Sequence, residues 1–455
     1  TAFDLRDGKA HWRFPKGEVV LDVTPFAGGW TFEVVRASLD GAQELHVGSV
    51  QPTCRLYEGR MANACSDEQS FVCVRAYDAG ASFYCHAGKV EAYVKAKSRP
   101  FAAARFGFAA GPRPSAIPAL RAMTVAAGVP HSDKGGAWAL GAPDNRRSYW
   151  MAWGVGAFTA DDEIELCRRG GFKTLHFDRF FDTYGNYSLR KRDYPNGMED
   201  LKAVLEKAHA ADLFTDFHSL TACVSRKDPW VTPECRDGLM ATASYTLARP
   251  LAANTNDDTV VVNEKPVAGH EIVDSGFGNA NFLKIGTEIV QYTGMSERAP
   301  WTFTGVKRGA CKTTVKAHGA GAKVDYLRNS FGCFQVDADS ELAKESWAIQ
   351  GRLFGAGFDS VYLDGADCIH VDPRKCDKFV RGIYSAALAN GKAPQFEDSL
   401  WTAAAWWFHS RIGANDHVHW DSKRSLDRRF ARTISYGRRS SPVSGYGLPC
   451  PRFSG

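Results

Sequence analysis

The chain has 455 residues, 44% of them apolar and 24% charged, with 56 basic against 51 acidic side chains and a formal charge of +5. This is material for two or three domains with sizeable cores; the near balance of charge argues against nucleic acid as a partner. No apolar run approaches the roughly eighteen residues of a membrane span, so none is expected.

Residues 1–110 alternate short apolar stretches, such as Val19-Val-Leu-Asp-Val23 and Ser70-Phe-Val-Cys-Val74, with glycine and aspartate turns. This pattern predicts a small β-sandwich-like domain. Residues 111–147 open on the proline-bearing stretch Gly111-Pro-Arg-Pro-Ser-Ala-Ile-Pro118 and are expected to form a linker. The chain holds twelve cysteines and no Cys-x-x-Cys, which favours disulfides over zinc. Cys54, Cys65, Cys73 and Cys85 crowd the amino-terminal region, and loop-bracketing spacing predicts the pairs Cys223 with Cys235 and Cys368 with Cys376. With a chain that starts at Thr1 without an apolar leader, this places the protein in an oxidising compartment, secreted or at the cell surface.

From about Ser148 the cadence changes to helix, glycine, strand, polar tip. Helical segments are expected over 160–169, 198–211 and 340–353, with acidic residues in the first turn. Strands follow at Phe172–Asp178, Leu213–His218, Asp359–Asp364 and Pro394–Asp398, each delivering acidic or histidine side chains to its end. The expectation is an α/β architecture, a (β/α)8-type (TIM) barrel in two parts, residues 148–238 and 328–455, with a β-module inserted over 239–327. After Asp421 too little chain remains for two more units of about thirty residues. The barrel is therefore either completed by a second chain or fragment, or degenerate.

Such barrels do their chemistry at the carboxyl ends of the strands, which makes Asp178, His218, Asp364, Asp367, Glu397 and Asp416 the candidates. Cleaving a glycosidic bond takes two carboxyl groups, one to protonate the leaving oxygen and one to support an oxocarbenium-like transition state. Asp364 is assigned as nucleophile or charge stabiliser and Glu397 as acid/base, with no metal or cofactor required. Trp401 and Arg411 suit a carbohydrate partner, the first by stacking on a pyranose face and the second by gripping a carboxylate or sulfate. Structural alternatives stand beside each: a turn-capping role for Asp367, an ion pair of Asp178 with Arg179 or Arg190, an interior position for His218, packing for Trp406 and Trp407, and an internal pair of Arg411 with Asp416. A uronate lyase using His218 or Tyr362 as base is the rival enzyme; a non-catalytic protein of an extracellular assembly is the rival from another class.

Two resemblances refine this. Ile285-Gly286-Thr287-Glu288-Ile289, Val306-Lys307-Arg308-Gly309, and Thr314, His318, Gly321 and Val324 resemble a small β-module inserted in carbohydrate-active and phage-tail proteins, in which His318 is read as a turn or packing residue. Gly185-Asn-Tyr187, Tyr194-Pro195-Asn-Gly197-Met198, Leu201-Lys202, His209, Phe217-His218-Ser219-Leu220 and Asp228-Pro229-Trp230-Val231-Thr232-Pro233 resemble glycoside-hydrolase barrels related to the melibiase (α-galactosidase) superfamily, over about Tyr149 to Asp421. That resemblance implies a strand-end aspartate as nucleophile, Asp364 here, and an aspartate further round as acid, favouring Asp416 over Glu397. Trp230, within the matched segment, joins the expected substrate contacts.

Overall fold

The alternating stretches before residue 112 pair into two antiparallel sheets, one of eight strands and one of three. The computed structural model describes residues 2–54, 56–57, 64–86, 89–96, 100–254, 256–267, 280–365, 373–391, 394–398, 407, 411–412 and 453–454. Val19, Leu21, Val34, Val74 and Phe106 of the larger sheet share one core with Leu45, Val90, Ala92 and Val94 of the smaller. Residues expected as a linker contain a helix, Ala116–Ala126. Its Ala119, Leu120 and Met123 are buried in a second, larger core that runs from Phe71 and Tyr77 of the first region into the barrel segment.

The barrel segment is a parallel sheet of seven strands: β1 (Tyr149–Trp153), β2 (Thr174–Asp178), β3 (Phe214–Leu220), β4 (Ser360–Asp364), β5 (Gln395–Asp398), β6 (Arg411–Ile412) and β7 (Phe453–Ser454). Their spatial order is β6-β5-β4-β3-β2-β1-β7. Helices α1 (Ala160–Arg169), α2 (Met198–Ala210), α3 (Glu341–Ala356) and α4 (Pro373–Ala389) fall between the strands. Local chemistry sets these ends. Acids at 161–163 open α1 and arginines at 168–169 close it, complementing the helix dipole. The Ser340 hydroxyl caps α3 by accepting from the Ala343 amide, and Gly357, at φ 140°, ends it.

The described strands do not complete a ring of eight, in line with the shortage of chain after Asp421, and one strand boundary shifts. The eight-unit ring is not closed among the described residues: β6 and β7, two residues each, are the edges of a seven-stranded sheet and are not paired with one another. Two-residue strands supply few rungs for closure, and the late segment returns to the first strand instead, Phe453 lying opposite Trp150 and Ser454 opposite Met151. Strand β3 also runs two residues past His218, to Leu220.

The inserted residues leave after β3 and return before α3. They form a four-stranded and a three-stranded antiparallel sheet around a separate core of Tyr245, Val260, Leu283, Ile285, Phe303 and Val324. Gly286, at φ 57°, makes the two-residue turn between Asn281–Ile285 and Glu288–Tyr292. Among the described residues no helix is long and apolar enough to cross a membrane.

Candidate active site

In parallel strands, residues in register form layers across the sheet. One layer is unusually polar. Trp153 lies opposite Asp178; the rung after Phe177 and Phe217 brings Asp178 level with His218; His218 lies opposite Tyr362, Tyr362 opposite Glu397, and Glu397 opposite Arg411. Asp364 is one layer further out, opposite Leu220. Four residues proposed from sequence, Asp178, His218, Glu397 and Arg411, thus occupy one level on four strands, with Asp364 just above.

His218 is the hub. Its Nε2 is 3.2 Å from Asp364 Oδ2, and its Nδ1 is 3.0 Å from the Tyr184 hydroxyl. Burial, reinforced by the charges of Asp178 and Asp364, raises the Tyr184 phenol well above its ordinary pKa. Tyr184 therefore stays protonated, and its hydroxyl and the Asp364 carboxylate engage the two ring nitrogens of His218. Asp364 Oδ1 also accepts from the Gly365 amide at 2.8 Å, and its side chain is 34% exposed. One carboxylate oxygen edge is held and the group still meets solvent.

Asp178 differs. Its Oδ1 is 3.5 Å from His218 Nδ1 and its Oδ2 4.0 Å from Arg179 Nε, too long for firm hydrogen bonds. The expected ion pair with Arg179 is thus at the distance limit, and the Arg190 guanidinium donates to the Phe181 carbonyl instead. Arg179, with φ 55°, stacks its guanidinium 4.0 Å over the ring of Trp153, which is 60% exposed. A carboxylate with unsaturated oxygens beside an open indole face is a suitable seat for sugar hydroxyls and a pyranose ring.

Beneath this layer, His176 Nδ1 lies 2.6 Å from Asp216 Oδ2 and the Ser360 hydroxyl donates to Asp216 Oδ1. Both His176 and Asp216 are fully buried. They form a floor of the site and are not strand tips. Tyr362, also fully buried, packs against His218 with ring centroids 5.7 Å apart.

The residues shared with the melibiase-like pattern brace the loops around this centre. Asp228 accepts from the Thr183 hydroxyl at 2.6 Å, the Asn186 amide at 3.2 Å and the Trp230 amide at 2.8 Å. Burial lifts its carboxyl above the ordinary range although these bonds oppose the shift. Gly185, at φ 119°, passes so close that an added Cβ would sit 3.0 Å from the Asp228 carboxyl carbon. The Tyr187 hydroxyl meets that of Ser219 at 2.9 Å. His209 Nε2 is 2.9 Å from Asp359 Oδ2. Trp230, expected to touch substrate, is 4% exposed inside the core: its ring is consumed by packing and offers no stacking face. Trp153, 60% exposed at the end of β1, is the aromatic ring open to solvent beside Asp178. Nothing in the sequence marked it beyond its place at the end of an apolar run, and Tyr184 was invisible because a loop carries it to a histidine 34 positions away.

The side chains of Glu397 and Arg411, and Asp367, Trp401 and Asp416 altogether, lie outside the described residues. Trp407 is described and is buried against Tyr384, as its packing alternative required.

No family model and no curated protein matches the chain. Solved structures that overlap it include an α-galactosidase from Thermus thermophilus (13% identity, TM-score 0.44, covering 95% of this chain and 80% of that one). They also include an α-galactosidase from Lactobacillus brevis (11%, 0.44, 97% and 57%) and a GH31 α-xylosidase from a soil metagenome (9%, 0.46, 100% and 72%). The structural neighbours are thus glycoside hydrolases, loosely overlapped; the residues of the site carry the functional reading.

Proposed function

We propose that this chain hydrolyses glycosidic bonds of a polysaccharide or glycan outside the cell, with Asp364 as nucleophile or charge stabiliser. The observation that supports this most is the His218 bridge: a strand-end carboxylate, partly open to solvent, within hydrogen-bond reach of an imidazole that a half-buried tyrosine holds from its other nitrogen. Asp364 presents negative charge to the developing oxocarbenium ion. Asp178 and Trp153 position the sugar. The leaving oxygen takes its proton from Asp416, or from Glu397, which holds the register position opposite Tyr362. Twelve cysteines accord with an oxidising location.

A lyase using Tyr362 is disfavoured, because that ring is fully buried, and His218 has both nitrogens engaged. The test is release of reducing sugar from a panel of α- and β-glycosides and oligosaccharides. The wild type should cleave at least one member and Asp364→Asn none, with both variants folded; equal cleavage by the two, or cleavage by neither, would end the assignment.

A further inference from the structure

The two chain segments that carry the inserted module in and out form an antiparallel ribbon, Cys223–Ser225 against Cys333–Gln335. Cys223 lies opposite Gln335 and Cys333 opposite Ser225. The two cysteines are therefore two rungs apart, a spacing that puts side chains on one face of the ribbon. They are packed together as a buried pair of their own, both as free thiols in this structure, flanked by Leu220 and Phe331. Cys235, the partner suggested by spacing, belongs to a different cluster, the large core that also takes in Cys311. The sequence pairing is thus corrected by geometry: Cys235 is near in sequence but is carried away by the Asp228-anchored loop, whereas Cys333 is brought back by the return of the whole module.

We infer that Cys223 and Cys333 form a disulfide that clasps the base of the inserted module and fixes the loop bearing the site tyrosine. The bond joins Sγ to Sγ; the two thiols lose two protons and two electrons to a disulfide donor of the oxidising compartment, which is reduced to its dithiol. Closing a loop of roughly 100 residues restrains the unfolded chain strongly. The ribbon also reaches the site. The Tyr184 amide donates to the Ser225 hydroxyl at 3.0 Å and the Ser225 amide donates to the Tyr184 carbonyl at 2.9 Å. The clasped strand thereby holds, through backbone bonds, the residue whose hydroxyl sets His218. In the reduced state a hydrogen bond with Cys223, followed by burial, raises the Cys333 pKa far above the ordinary thiol range. Such a thiol is a poor nucleophile, which accords with a structural bond made during folding rather than an exchanging one.

The inference stands apart from the glycosidase reading, and its test needs no substrate. The full chain, expressed through an oxidising compartment, is alkylated without reduction, digested and mapped by mass spectrometry. The expected result is one cross-linked peptide pair containing Cys223 and Cys333 that separates on reduction. Alkylation of both thiols when the unreduced protein is unfolded in denaturant with excess reagent, or a link from Cys223 to Cys235 or any other cysteine, overturns the proposal. As a second measurement, reduction should lower the Tm of the wild type by about 5–10 °C and lower that of the Cys223→Ser, Cys333→Ser double variant by much less. Equal reduction-dependent shifts in the two proteins count against the clasp.

Discussion

Two histidine–carboxylate clusters, one in the inserted module and one at the strand ends, differ in how much of their hydrogen-bonding capacity the fold consumes. In the module, Glu288 is fully buried and saturated. Both its oxygens accept from the Arg308 guanidinium at 2.8 Å, and the Gly309 amide, the Lys316 amide and His318 Nε2 complete its shell at 2.9, 3.2 and 2.9 Å. Burial alone would raise its pKa, but the bonds from Arg308 and His318 and the two amides outweigh it, leaving the carboxyl below its ordinary value. Nothing is left to meet a ligand. At the strand ends one histidine reaches towards two carboxylates, Asp364 is partly open, and Asp178 has no short hydrogen bond among the described residues. Saturation spends every lone pair on the fold, whereas incomplete saturation keeps some for a substrate.

Variants in the two clusters should separate along this line. The largest effect expected is at Asp364: Asp364→Asn should lower kcat on the order of 10⁴-fold while leaving the Tm nearly unchanged, checked by steady-state kinetics beside thermal unfolding. A large drop in Tm would put Asp364 in the same class as Glu288. Next, Glu288→Gln should destabilise the module by about 3–5 kcal/mol, because the buried Arg308 loses its bidentate partner and keeps only the partly exposed Asp257, 3.3 Å away. Its kcat below the transition should hold. The sign of the pH effect follows from the depressed carboxyl: its stabilisation is present above the unfolded-state pKa and lost as pH falls through the folded value. Tm against pH should therefore show an acid limb in the wild type that flattens in the variant.

A smaller loss, about 10²-fold in kcat, is expected for His218→Ala, which removes the donor that aligns Asp364. His318→Ala, the matching change in the module, should alter Tm and spare kcat; the reverse outcome would dissolve the distinction. The smallest effect belongs to Tyr184→Phe. Losing one hydroxyl hydrogen bond of about 1 kcal/mol should cost about fivefold in kcat, with KM little changed, as steady-state kinetics would show.

The parallel cadence was legible because strands that end on charge, after helices closed by glycine, follow from periodicity and capping alone. That reading found Asp178, His218 and Asp364 on adjacent strands, which the register then brought together. It also found the module, and Glu288, Arg308 and His318 turn out to be the residues that lock it; the partner that sequence reasoning did not supply for His318 is Glu288, reached across 30 positions. What it missed came from contacts that periodicity does not encode. Trp153 enters the site from the end of β1, and Tyr184 from a loop that Asp228 braces through Thr183 and Asn186. Trp230 seemed a platform because it is aromatic and near a motif, yet the same Asp228 turn folds it inward. Cys223 was matched to a sequence neighbour because the return path of the module was unknown. The unclosed ring among the described residues was legible in the shortage of chain after Asp421, whereas the positions of β6 and β7 were not, since two-residue strands are too short to carry a pattern.

The central claim is that water is added across a glycosidic bond at Asp364. The most direct test is the mass balance of cleavage on a defined oligosaccharide that the wild type accepts, followed by mass spectrometry and ultraviolet absorbance. The account predicts two products whose masses sum to the substrate plus one water, no absorbing unsaturated end, and loss of both products with Asp364→Asn. Products that sum to the substrate alone, one of them unsaturated, would contradict it.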